Sequence, residues 1–133
     1  MSNAESPENL IRGEWRELSW EYEKVDLPLN KGMDYAQIFP QLKQRISQDL
    51  IIHQAETWRF LPNGELILSD GEKEKKVKWR MKGRGHILQL IYDEDTFESY
   101  NLSELNDDTL VLNFESDIQA RGIAKLTFER IKN

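Results

Sequence analysis

The chain has 133 residues, no cysteine and a formal net charge of −6, with a pI near 5.0. Its length fits one domain that can bury a core without staples, and the missing cysteines exclude disulfides and thiolate metal sites. The acidic balance argues against a general affinity for nucleic acid or anionic membranes, and no apolar run approaches the ~20 residues of a membrane span.

Residues 1–9 read as a disordered or tag-derived lead-in, with Ser2-Asn3-Ala4 resembling a tag remnant. They lack the apolar stretch of a signal peptide, and the native compartment is not legible, whether cytoplasmic or exported after removal of a leader. Residues 10–133 then read as a single domain. A long strand is expected from about Ile11 to Val25, followed by a break at Leu27-Pro28-Leu29-Asn30-Lys31-Gly32. Tyr35, Ile38, Phe39, Leu42, Ile46 and Leu50 then recur at helical spacing. Pro40 would be costly inside a helix, so the helix begins near it or a short turn precedes it.

After Gln54 the period changes from 3.6 to 2. Strands are expected over Ala55–Leu61, Glu65–Ser69, Lys75–Lys82, His86–Tyr92, Thr96–Leu102, Thr109–Glu115 and Ile123–Ile131. Short polar turns join most of them; Asn63-Gly64 has the chemistry of a tight hairpin. Short connections favour antiparallel neighbours, and eight such strands can curl into a closed up-and-down barrel, which removes exposed edges. The expected fold is mainly β: an eight-stranded antiparallel barrel with one helix between the first and second strands.

The ends of the chain suggest where the sheet closes. Gly13 lets the first strand bend, Trp15 can plug one end, and Arg130 can lie over its indole. Alternation assigns an apolar inner face: Trp58 and Phe60, Leu66 and Leu68, Val77, Trp79 and Met81, Leu88 and Leu90, Tyr100 and Leu102, Leu110, Leu112 and Phe114, Leu126 and Phe128. Such an interior either leaves an apolar pocket or interdigitates into a packed core. Trp15, Leu18, Trp20 and Tyr22 cannot all face inward on a regular strand. A bulge between Trp15 and Leu18 would reconcile them; alternatively Trp20 and Tyr22 face outward, beneath the helix or against a protein partner.

Other candidates have plain readings. Lys76, Lys78, Arg80 and Lys82 share one parity and read as the solvated face of a strand, with an anion-binding patch as the alternative. Glu17, Glu21 and Glu23 share a parity with Ser19 and read as another solvated face. Asp93-Glu94-Asp95 lacks the ligand spacing of a calcium loop, and His53 and His86 form no ligand cluster. No nucleophile elbow or phosphate-binding fingerprint is present, so neither a catalytic residue, a metal nor a cofactor is expected.

Four stretches in this order resemble the calycin group, in particular small bacterial lipocalin-like domains: Leu10-Ile11-Arg12-Gly13-Glu14-Trp15, Glu56–Leu66 with its aromatic strand turning at Asn63-Gly64, Tyr100–Leu110, and Phe128-Glu129-Arg130. The resemblance spans about residues 10–131. It implies that Gly13, Trp15 and Arg130 close the barrel floor and catalyse nothing. It also implies a non-catalytic protein that holds a small hydrophobic molecule. Trp58, Phe60, Trp79, Met81, Leu88, Leu90, Tyr100 and Phe114 would line the cavity, with Arg84 or His86 at the rim to hold a ligand carboxylate. The competing expectation is a filled barrel that serves as a protein–protein interaction module, working through Trp20 and Tyr22, the Leu27–Gly32 loop or the cationic strand.

Overall fold

The computed structural model describes residues 6–24, 36–37, 46–93, 96–116 and 122–131. The chain enters through a short helix, α1 (Pro7–Ile11). The strands are β1 (Gly13–Lys24), β2 (Ala36–Gln37), β3 (Thr57–Phe60), β4 (Glu65–Ser69), β5 (Glu74–Lys82), β6 (Ile87–Ile91), β7 (Phe97–Leu105), β8 (Thr109–Ser116) and β9 (Gly122–Arg130). Strands β3 to β9 pair in sequence order, each antiparallel to the next. Strand β1 closes the ring by pairing with both β3 and β9. Eight of the nine strands therefore form one cylinder, and the two-residue β2 adds to β1 beyond the point where β3 leaves it.

The expected strand order holds, with differences in detail. The first strand starts at Gly13 rather than Ile11, because Pro7–Ile11 is helical and takes up part of the presumed lead-in. The local cause is a helix-start signal: Ser6 accepts from the Asn9 N–H, Pro7 sits in the first turn, and Glu8 complements the helix dipole. Ile11 is fully buried, and its carbonyl accepts the Trp15 Nε1–H at 2.8 Å. Of the helix expected between the first two strands, Ile46 and Ser47 are described as helical, followed by turns to Gln54. Tyr35, Ile38, Phe39, Pro40 and Leu42, like the Leu27–Gly32 loop, lie outside the described residues.

The long first strand carries a bulge, but not where the aromatics alone would put it. Its register against β9 shifts between Glu17 and Ser19. Leu18 is the extra residue and points outward, 55% exposed. This corrects the expectation of an inward Leu18. The bulge flips the parity of everything after it, so Trp15, Trp20 and Tyr22 are all buried. Trp20 and Tyr22 therefore offer no exposed aromatic surface to a partner. The same shift puts Glu17 on the inner face, half-buried, whereas parity had grouped it with Glu21 on a solvated one.

Along most of the later strands the large side chains alternate, with Gln89 in β6 and Val111 in β8 buried out of step. Leu66, Leu68, Val77, Trp79, Leu88 and Leu90 are buried, while Lys76, Lys78, Arg80 and Lys82 between or beside them are exposed. Burying each large apolar side chain is worth roughly 1.5–3 kcal/mol before the entropy of ordering it. The pattern thus selects one register and one inside.

Candidate functional site

One end of the barrel is sealed. The Arg130 guanidinium lies 4.2 Å from the centre of the Trp15 ring. It donates to three backbone carbonyls, those of Leu10, Arg12 and Asp107. Gly13, at φ +115°, passes so close that an added Cβ would stand 2.8 Å from Arg130 Nη1. Helix α1 completes this floor: Pro7 packs on Gly85, where a Cβ would meet Pro7 Cγ at 2.5 Å. The three residues named from the chain ends thus meet in one stack.

Above the floor the interior is packed aromatic. Trp58 touches Phe128, Phe60 and Tyr100, with ring centres 4.8, 6.3 and 6.5 Å away. Trp79 meets Phe60 edge-on at 5.3 Å and donates its indole N–H to the Leu61 carbonyl. Most pairs are T-shaped, the geometry that aromatic quadrupoles favour. Trp58, Phe60, Trp79, Leu88 and Leu90, expected to line a cavity, instead fill the lower barrel. Met81 packs against them, partly buried.

At the opposite end the segment from Ile46 to Ala55 covers the barrel. Ile46, Ile51, Ile52 and Ala55 are buried in the same core. The segment is latched from two sides: the Glu98 carboxylate accepts the Ile51 N–H at 2.8 Å, and Lys75 Nζ donates to the Ile51 carbonyl at 3.2 Å. Tyr100 donates its hydroxyl to the same carboxylate at 2.7 Å. Glu17 reaches inward nearby and accepts two indole N–H groups, from Trp20 at 2.8 Å and Trp58 at 3.2 Å. Burial pushes the Glu98 carboxyl up, against the hydrogen bonds from Tyr100 and Ile51. Burial, with Glu98 alongside, holds the Tyr100 hydroxyl well above its usual range.

Beside this latch the barrel wall parts. The β7–β8 ladder runs from Leu105↔Leu110 to Asn101↔Asn113 and stops. Beyond that point β7 continues against β6, from Asn101 back to Phe97. Likewise β8 continues against β9, from Asn113 to Ser116. The two strands have each kept their outer neighbour and left one another. Between them opens a cleft of about 550 Å³. Because it cuts through the wall, side chains of both faces line it: Leu50, Tyr100 and Phe114 from the inside, Ser99, Asn101 and Glu115 from the outside. Glu98, Asn113 and Ile123 complete the described lining. Asn113 donates to Ser103 Oγ at 2.6 Å, while its buried Oδ1 has no partner.

Of the residues expected to line a ligand site, only Tyr100 and Phe114 reach this cleft. Arg84 and His86 do not. They sit exposed in the turn between β5 and β6, at the floor end with α1. Leu102, the β7 residue whose N–H bonds the His86 carbonyl, lies four positions from Glu98, roughly 13 Å along the strand at about 3.4 Å per residue. Glu98 and Asn113 were missed because their significance lies in where a ladder ends, which no single strand's pattern reveals.

No family model matches the chain, and no curated protein matches it. Among solved structures it is similar to bovine odorant-binding protein in complex with a selenium-containing odorant, with a TM-score of 0.51 at 13% identity, covering 100% of this chain and 78% of that one. The bovine protein with undecanal matches with a TM-score of 0.49 at 11% identity, over 100% and 78%. At such identities the likeness is one of architecture. The chain has the fold of a lipocalin-like, closed eight-stranded β-barrel.

Proposed function

We propose that this protein binds a small hydrophobic molecule without catalysis, taking it through the gap between β7 and β8 rather than deep within the barrel. The observation that carries the reading is the cleft of about 550 Å³ with apolar walls from Leu50, Tyr100 and Phe114. That volume lies in the range of small-molecule pockets, and the described lining sets Leu50, Tyr100, Phe114 and Ile123 beside five polar side chains. The packed lower barrel supports a short ligand rather than one threaded down the axis. The bovine protein's complex with a selenium-containing odorant is consistent with such a use of the fold.

The test is uptake of short aliphatic and aromatic ligands, followed by tryptophan fluorescence. Trp20 is the reporter, since its ring stands edge-on to Phe114 at 6.0 Å. Asn101 is exposed and lines the cleft, so Asn101→Trp should narrow it and weaken uptake by about tenfold or more without unfolding the chain. Absence of uptake across the series would favour the alternative, a filled barrel serving as a protein-interaction module. That second reading draws support from the aromatic packing, with the exposed cationic face of β5 as its surface.

A further inference from the structure

The polar character of the cleft carries a choice of ligand head group. Its described lining includes two carboxylates, Glu98 and Glu115, and neither a lysine nor an arginine. The Asn113 Oδ1 is buried and unpartnered. Ser99 Oγ already accepts from Gln89 Nε2 at 3.0 Å. Lys75, the cation that acts on Glu98, is held by the Ile51 carbonyl and lies 5.6 Å from the centre of the Tyr92 ring. Lys125, opposite Asn113 in the ladder, is not among the described lining residues. The cleft thus offers hydrogen-bond acceptors and negative charge around an apolar wall.

Building on the reading of the cleft as a ligand site, we propose that it selects small amphiphiles whose head donates hydrogen bonds, primary amines and alcohols, and discriminates against carboxylates. The physical reason is desolvation. A half-buried carboxylate gains from a donor brought into the cleft. A carboxylate ligand would instead lose its own water beside Glu98 and Glu115, with no cation in the described lining to offset that loss. The expected anchor is the reverse of the one inferred from Arg84 and His86.

The experiment compares decylamine, decanol and decanoate, equal in chain length, by quenching of tryptophan fluorescence in the full chain. Decylamine and decanol should bind at least about tenfold more tightly than decanoate. Glu98→Gln should shrink the amine-to-carboxylate ratio to about threefold or less. Glu115→Gln, at an exposed position that does not hold the latch, should move the ratio in the same direction and serves where Glu98→Gln disturbs folding. Decanoate binding as tightly as the amine would overturn the head-group choice while leaving hydrophobic uptake standing. An unchanged ratio in both variants would overturn it as well. If none of the three binds, it falls together with the reading it rests on.

Discussion

Arg130 shows how much one side chain can be asked to do when its geometry is fixed. A guanidinium is planar, always charged and presents several donors in a rigid fork. Here one face covers the Trp15 indole while the edge reaches three carbonyls from two separate stretches of chain. Arg130→Ala should destabilise the fold by about 2–4 kcal/mol, since it removes a cation–π contact and leaves carbonyls to find water. Arg130→Lys should recover only part of that, because an ammonium can sit over the ring or bond the carbonyls but cannot span both. Urea denaturation of the two variants measures the difference. At Glu98 the pH dependence has the opposite sign to that of a paired surface carboxylate. The folded pKa of Glu98 is raised above the ordinary 4.5. Folding therefore favours the protonated form, and the associated stability is full below that ordinary value and lost as pH rises through the folded one. Glu98→Gln stays neutral throughout. Wild-type stability should accordingly fall relative to that variant between pH 4 and pH 7, measured by urea melts at both ends. A difference independent of pH would contradict the assignment.

Elements carry information that residue types do not. The bulge at Leu18 converts a strand whose aromatics fall out of step into one that buries Trp15, Trp20 and Tyr22 together. Inserting one alanine between Ser19 and Trp20 should therefore be far worse than changing Leu18. The insertion moves Trp20 and Tyr22 by one position against β9 and drives them outward, which should abolish cooperative folding, whereas Glu17 and Ser19 already face successive partners, Phe128 and Thr127, across the extra Leu18. By contrast Leu18→Ser, at a residue 55% exposed, should shift stability by about 0.5 kcal/mol or less. Thermal melts by circular dichroism distinguish the two. The need for a bulge was legible, because Trp15 and Trp20 differ in parity and both are costly to expose. Its position was not: on composition alone Leu18 is as good an inward candidate as Glu17, and the indole donors that make Glu17 acceptable inside come from other parts of the sheet. Helix α1 was legible in principle from Ser6-Pro7-Glu8, a cap, a first-turn proline and an acidic first turn. It was hidden because a single turn has no periodicity to read. The strands from β3 onward were plain in the sequence, since each buries one face against a shared core and most write that face as an alternation.

At the scale of the whole molecule, closure and opening are the same constraint seen from two sides. A cylinder needs each strand bonded to both neighbours, and β1 achieves this at the floor by pairing with β3 and β9 together. Among the described neighbours, β7 and β8 are the pair in which both strands run on after parting, at Asn101 and Asn113, and the cleft lies where they do. No sequence pattern announces this, because the residue types of Phe97–Tyr100 and Phe114–Ser116 suit a strand paired on one side or on both; only the register reveals the missing partner. If ligands pass through this gap, tying its two banks together should block them. The chain has no cysteine of its own, so Ser99→Cys with Glu115→Cys gives a clean pair of thiols on opposite banks. Bridging them with a short bis-thiosulfonate linker should reduce ligand uptake by about tenfold or more, and reductant should restore it. The bridge lies on the outer rim of the wall and leaves the floor stack and the Glu98 latch untouched. Undiminished uptake by the bridged protein would move access to the capped end, under the segment that Glu98 and Lys75 hold down. Ligand would then have to displace Ile51 and Ile52 from the core, and binding should be slow, limited by release of the latch and faster in Glu98→Gln. Stopped-flow association rates for the bridged and free forms therefore separate a side entrance from a lid.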